Sequence, residues 1–320
     1  MKNYILISVV VLCFCGCKFD QSKDIVYPVS HMEVLFFADD NDFDQDSLKL
    51  IYGDFFDDYK ERIVYLPPNE DFNLFLRKMK SHEKFIEAID LIQKNYQDFD
   101  SYELELNNAV VNYAGFFPDK HLPKLVTYFG AFNFPLAVND STLAIGLEMF
   151  LGSSYYSDLS FKYPPYMHHQ FNSQYMVSLA MNEWISSEFP LSRGNFLTNI
   201  IHQGKIKYVL SQLVDKQEHI VMGYTKDQLE WCQLSEYSIW KHLITKALLY
   251  SNDKSEIDKF INPAPSSRGM PAESPGQLVN WVGLQIVKKF MKNNPEISVQ
   301  ELMLIKDAQF ILQQSKYKAQ

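Results

Sequence analysis

Residues Phe171–Leu210, FNSQYMVSLAMNEWISSEFPLSRGNFLTNIIHQGKIKYVL, decide the fold of this chain. They read as two consecutive helices around which the remaining sequence is arranged. Between Tyr175 and Phe189 the apolar side chains are Tyr175, Met176, Val177, Leu179, Ala180, Met181, Trp184, Ile185 and Phe189. They cover most of the helix circumference, as a buried helix requires. The polar exceptions form one narrow stripe. Ser178, Asn182 and Ser186 are four apart and share a face, with Glu183 beside them. A polar stripe on a buried helix must be satisfied or used.

Asn182-Glu183-Trp184-Ile185-Ser186 has the HExxH spacing with both histidines missing. In a zincin helix, two histidines four apart bind zinc, and the glutamate after the first is the general base for the zinc-bound water. Here the glutamate remains. His202, in Ile200-Ile201-His202-Gln203-Gly204-Lys205, lies about where gluzincins carry a third ligand on a following helix. The pattern resembles a zincin whose site has been dismantled, with Asn182, Glu183, Ser186 and His202 as its vestigial positions. An amide and a hydroxyl are poor zinc ligands. No metal, catalytic residue or cofactor is therefore expected. The plainer alternative is a buried helix with a few hydrogen-bonded polar groups.

Met1–Cys17, MKNYILISVVVLCFCGC, has a short positive start at Lys2 and an apolar run too short to span a bilayer. A small residue, Gly16, precedes Cys17. This reads as a lipoprotein signal peptide over 1–17, with Cys17 the lipidated first mature residue. Residues 18–28 read as a tether and 29–320 as one globular domain. Cys13 and Cys15 would leave with the leader, so Cys232 would be the one free thiol and read as a buried small side chain. The formal charge is -9, from 39 acids and 30 bases. That balance, with no basic stripe, argues against a nucleic-acid surface. Hydrophobic residues at 47% and charged residues at 22% fit a packed domain rather than a disordered chain.

Glu33–Ala38 reads as a buried strand, and the acidic run Asp39–Asp46 as a loop capping the next helix, since it lacks the glycine and terminal glutamate of an EF-hand. Helices are expected over Ser47–Tyr59, Asp71–Lys80, Ser81–Tyr96 (capped by Ser81) and Tyr102–Phe116. Lys124–Phe132, Pro135–Val138 and Thr142–Met149 read as strands, the last two joined by a tight turn at Asn139-Asp140. A tyrosine-rich loop, Gly152–Met167, precedes His168 and His169, which are expected to open the central helix. One long helix is expected over Lys226–Tyr250 behind a Thr225/Gln228 capping box. Another should run from Ser274-Pro275-Gly276 to Met291, and a last one should be capped by Ser298 with Glu301. The expected class is α+β and mostly helical, a small sheet packed against a helical core, zincin-like with a degenerate active-site helix.

Several stretches together resemble the gliding-motility lipoprotein GldB family of the Bacteroidetes. They are Phe117-Pro118-Asp119, Leu143–Gly152, Tyr163-Pro164-Pro165-Tyr166, Gly204-Lys205 with Tyr208, Tyr224–Cys232 and Phe260–Pro265. Glu273–Gly276, Trp281-Val282-Gly283 and Gln285-Ile286-Val287 complete the set. The resemblance implies a lipid-anchored protein of the cell envelope required for gliding, with no established enzymatic activity. Its partners would be the membrane, through the lipid, and other envelope or gliding-apparatus proteins. The family's own similarity to HExxH peptidase domains would explain Asn182–Ser186.

Three functions compete. The first is a non-catalytic scaffold. The second is an envelope zinc metallopeptidase with an atypical site using Glu183, His202 and His168 or His169. The third is a glycan binder using Tyr155, Tyr156, Tyr163 and Tyr166.

Overall fold

The computed structural model describes residues 27–38, 42–158, 163–191, 193–245 and 248–319. The expected leader, Cys17 and most of the tether lie outside them, as do Asp39, Asp40 and Asn41. Strand β1 (Val29–His31) leads into α1 (Val34–Phe37), α2 (Gln45–Tyr52), α3 (Asp54–Asp58), a π-helical turn at Tyr59–Ile63, α4 (Phe72–Lys80), α5 (Glu83–Asn95) and α6 (Asp100–Phe116). Then come β2 (Lys124–Tyr128), β3 (Leu136–Val138), β4 (Thr142–Gly146), a 3₁₀ turn at Leu147–Phe150, α7 (Ser153–Asp158) and a second 3₁₀ turn at Pro165–Gln170. The remainder is helical: α8 (Ser173–Glu188), α9 (Phe196–Leu213), α10 (Glu218–Met222), α11 (Lys226–Leu234), α12 (Glu236–Thr245), α13 (Lys254–Ile261), α14 (Leu278–Asn293), α15 (Val299–Leu304) and α16 (Ala308–Ser315), with a 3₁₀ turn at Leu248–Tyr250. The expected α+β, mostly helical class holds.

The sheet runs β1-β2-β4-β3. β1 and β4 lie parallel to β2, and β3 is antiparallel to β4 across the expected turn. Every residue of β4 is buried, and its sequence TLAIG is correspondingly apolar without alternation. α8 packs on β3 and β4 and also meets α6, α9 and α10.

The apolar interior has two clusters, and α9 belongs to both. Phe196, Leu197, Ile200 and Ile201 face one; Ile206, Val209, Leu210 and Leu213 face the other. This explains why α9 is apolar nearly all round. Its principal partner is α14 rather than α8. The two helices cross with their backbones in contact. A Cβ placed on Gly204 would lie 2.2 Å from the Gly283 carbonyl carbon, and one on Gly283 would lie 2.1 Å from the Ile200 oxygen. Only glycine at both positions permits this approach.

Several boundaries differ from the sequence-based expectation. Glu33–Ala38 is a turn and the short helix α1, and the strand is the preceding Val29–His31. The Glu33 carboxylate is buried, accepting from the Thr127 hydroxyl (2.6 Å) and meeting His31 Nδ1 (2.9 Å), which turns the chain off the sheet. The helix expected over Ser47–Tyr59 breaks at Gly53, whose φ is +63°. Asp44 of the acidic run does cap α2, accepting from Ser47 N. Ser81 ends α4 instead of starting α5, with its hydroxyl donating to Lys78 O at 3.0 Å. β2 stops at Tyr128, and Thr142–Met149 is strand only to Gly146. His168 and His169 sit in a 3₁₀ turn ahead of α8, which Asn172 caps. The helix expected over Lys226–Tyr250 ends at Leu234 and restarts at Glu236. Both expected capping boxes, Thr225/Gln228 and Ser298/Glu301, are present, although α16 follows α15.

Candidate functional site

The polar stripe of α8 is divided in its use. Ser186 donates to the Asn182 carbonyl at 2.7 Å, an i to i−4 bond within the helix. Ser178 Oγ and Asn182 Oδ1 are buried with no hydrogen-bond partner among the described residues. Glu183 is solvent-exposed, yet enough chain surrounds its carboxyl for desolvation to raise it above the ordinary range.

α9 begins at its cap Asn195, whose Oδ1 accepts from Thr198 N (3.0 Å) and Thr198 Oγ1 (2.9 Å). One turn on, His202 lines a cleft of about 310 Å³ between the end of α8 and the segment joining α15 to α16. The carboxylate beside it is Glu188, not Glu183. Glu188 Oε2 lies 3.1 Å from Lys120 Nζ. Lys205, one turn beyond Ile201, is buried. Its ammonium donates to Ile305 O at 2.6 Å, and no carboxylate pairs with it among the described residues. Burial, and secondarily the charge of Lys205, push the His202 imidazole down to about 4. Burial likewise takes Lys205 down to about 8. The Lys205 ammonium beside the ring opposes a metal cation there by like-charge repulsion.

Of the four positions read as zincin-like, His202 alone lines this cleft; Asn182, Glu183 and Ser186 do not. Among the described residues, no three His, Cys, Asp or Glu side chains are grouped to hold a metal ion. His168 Nε2 meets Tyr163 O at 2.9 Å, and His169 meets Tyr166 O at 3.0 Å and Gly223 O at 2.9 Å, so both rings are bound to backbone. The tyrosines of the preceding stretch pack inward. Tyr156 is buried and donates to Glu148 O, and Tyr163 donates to Asn133 O at 2.7 Å. Cys232 is buried, which pushes its thiol well above the usual range.

Two groups to which the sequence assigned no role of their own stand out in the structure. One is Lys205. The other is Glu148, fully buried just after β4. Its Oε1 accepts from the amides of Gly130 (2.8 Å) and Phe132 (3.1 Å), while Oε2 has no partner among the described residues. Desolvation raises the carboxyl to about 7 against the lowering effect of those two amides. The loop that supplies them carries Ala131 and Phe132 at φ of 53° and 60°, a left-handed conformation that costs energy in residues with a Cβ. A lone glutamate in the apolar run LAIGLEMFLG was the available signal.

Four of the stretches that carry the family resemblance converge beside the second 3₁₀ turn. Tyr166 donates to Pro263 O (3.3 Å), Tyr224 donates to Gln277 O (3.0 Å), and a Cβ on Gly276 would lie 2.2 Å from Ala264 O. The cleft they enclose holds about 40 Å³, room for water rather than a ligand. These segments fix architecture.

The chain is thus a mostly helical α+β protein with a positively charged cleft at the end of its central helix pair. No helix of the described residues is long and apolar enough to cross a membrane. Over residues 19–319 the sequence matches the family model of the gliding motility protein GldB, and the chain belongs to that family. It is a lipoprotein family, which associates the chain with the cell envelope and with gliding motility. No curated protein and no solved structure matches it.

Proposed function

We propose that this chain is a lipid-anchored, non-catalytic component of the gliding apparatus that binds other envelope proteins. Cys17 carries the lipid in this reading and keeps the fold on one membrane face. The observation that carries it is the company of His202. The residue that would have to be a zinc ligand shares its cleft with Lys205 and with a Glu188 already paired to Lys120, while Glu183 lies outside that cleft. A cation there is opposed by charge, and the general base is not at hand.

The test is metal content of the purified full chain, with and without zinc loading. Substoichiometric zinc agrees with the proposal. About one zinc per chain, lost in His202→Ala, would overturn it. One observation favours a second reading, an envelope metallopeptidase: the carboxyl of Glu183 is raised, as a general base requires. The same zinc measurement decides between them.

A further inference from the structure

The cleft beside His202 has the size of a small-ligand site, about 310 Å³. Phe189, Pro190, Leu191, Ile201 and Ala308 supply apolar wall. Its charge is one-sided. Lys205 is buried in the wall and Lys306 stands exposed beside it. The carboxylate on the lining, Glu188, is engaged by Lys120. The Lys205 ammonium has carbonyl partners at Ile305 (2.6 Å) and Met303 (3.5 Å), leaving its charge uncompensated among the described residues. A buried cation without a counter-charge is costly, and a bound anion removes that cost. The His202 ring has no hydrogen-bond partner within the protein among the described residues, so its N–H is available in the same space.

We infer that this cleft is a binding site for a ligand with one carboxylate on a compact apolar body. The carboxylate sits between Lys205 and His202, and the apolar part lies along Phe189, Leu191 and Ile201. Lys306 at the rim draws the anion in. The inference goes beyond the scaffold reading and does not depend on it, since it concerns ligand binding and not gliding or hydrolysis. Two sources share this chemistry: a free aliphatic acid, and the C-terminal carboxylate of a partner polypeptide ending in an apolar residue.

The test is calorimetric titration of the detergent-solubilised full chain with hexanoate and with hexanamide, the His202 ring resonances being followed in parallel. Saturable hexanoate binding that moves the His202 signals, at least tenfold tighter than hexanamide, is expected. Lys205→Met should weaken hexanoate at least tenfold, and Lys306→Ala should weaken it less. Equal affinity for acid and amide overturns the inference, as does absence of saturable binding or full retention of affinity in Lys205→Met. Should Lys205→Met fail to fold, the acid–amide comparison on the unaltered chain and the Lys306→Ala variant still decide. Titration with N-acetyl-alanyl-leucine then separates the sources. Tighter binding than hexanoate assigns the site to a chain terminus, and weaker binding assigns it to a small acid.

Discussion

The contact between α9 and α14 makes a quantitative prediction. A methyl group added by Gly283→Ala would stand 2.1 Å from Ile200 O and 2.9 Å from Gly204 N, where ordinary contacts begin at 3.4 Å. The helices must therefore part by roughly 1 Å, and the obstructing atoms are backbone, which cannot rotate away. Overpacking of a well-filled interior costs about 1–3 kcal/mol, and rigid backbone on both sides places this case near the upper end. Alanine's better helix propensity returns about 1 kcal/mol. The net expectation is a loss of about 2 kcal/mol. Gly115, in α6, supplies the control, because a Cβ there meets nothing within 4 Å. Gly115→Ala should stabilise by about 0.5–1 kcal/mol. Gly204→Ala should behave like Gly283→Ala, and the double variant should lose less than the two singles together, since the first methyl has already separated the helices. Urea unfolding of the four variants measures all of this. If Gly283→Ala were neutral or stabilising, as Gly115→Ala should be, the close crossing would be wrong.

Further predictions concern titration and capping. Glu148 titrates near 7 in the fold and near 4.5 when unfolded, so the folded chain keeps a proton that the unfolded chain has released. Stability therefore falls as pH rises through that window, by on the order of 3 kcal/mol from this group, and is flat above it. Glu148→Gln removes the titration; the stability difference between the native chain and this variant, followed by denaturant unfolding from pH 4.5 to 8, should show that slope, and a pH-independent difference would refute it. His202 moves the opposite way: its ring titrates near 4 in the fold against 6.5 unfolded, so its contribution rises with pH between those values. Proton NMR of the ring should find it neutral at pH 6. Thr225→Ala removes the side-chain half of the α11 capping box and should cost about 1 kcal/mol in thermal or urea unfolding.

What the sequence revealed follows from which signals are local. The capping boxes at Thr225 and Ser298 are set by residues three apart, and both were legible. The Asn139-Asp140 turn between β3 and β4 was legible for the same reason. The burial of α8 and α9 showed in their all-round apolar character. Breaks at Gly53 and Ser235 were not legible, because the amphipathic pattern continues across them and only the backbone angle marks the stop. Glu33–Ala38 departs from the expected strand because LFF suits a strand as well as a helical turn, and the Glu33–His31–Thr127 cluster that decides it spans 96 residues of sequence. The choice of α14 as partner to α9 rests on two glycines 79 positions apart, Gly204 and Gly283, each of which alone reads as a weak point in a helix. At the candidate site, spacing pointed to His202 but also to Asn182, Glu183 and Ser186, which do not line its cleft. The burial of Lys205 was not legible, because a lysine on a helix usually lies in solvent.

The most direct test of the central proposal is gliding by cells whose sole copy of this gene encodes Glu183→Gln. The substitution keeps the side chain's shape and abolishes any general base there. A binding component predicts colonies that spread as widely as those of the unaltered strain, with the protein accumulating to the same level. Non-spreading colonies at normal protein level would contradict it and put hydrolysis at the centre of this protein's role.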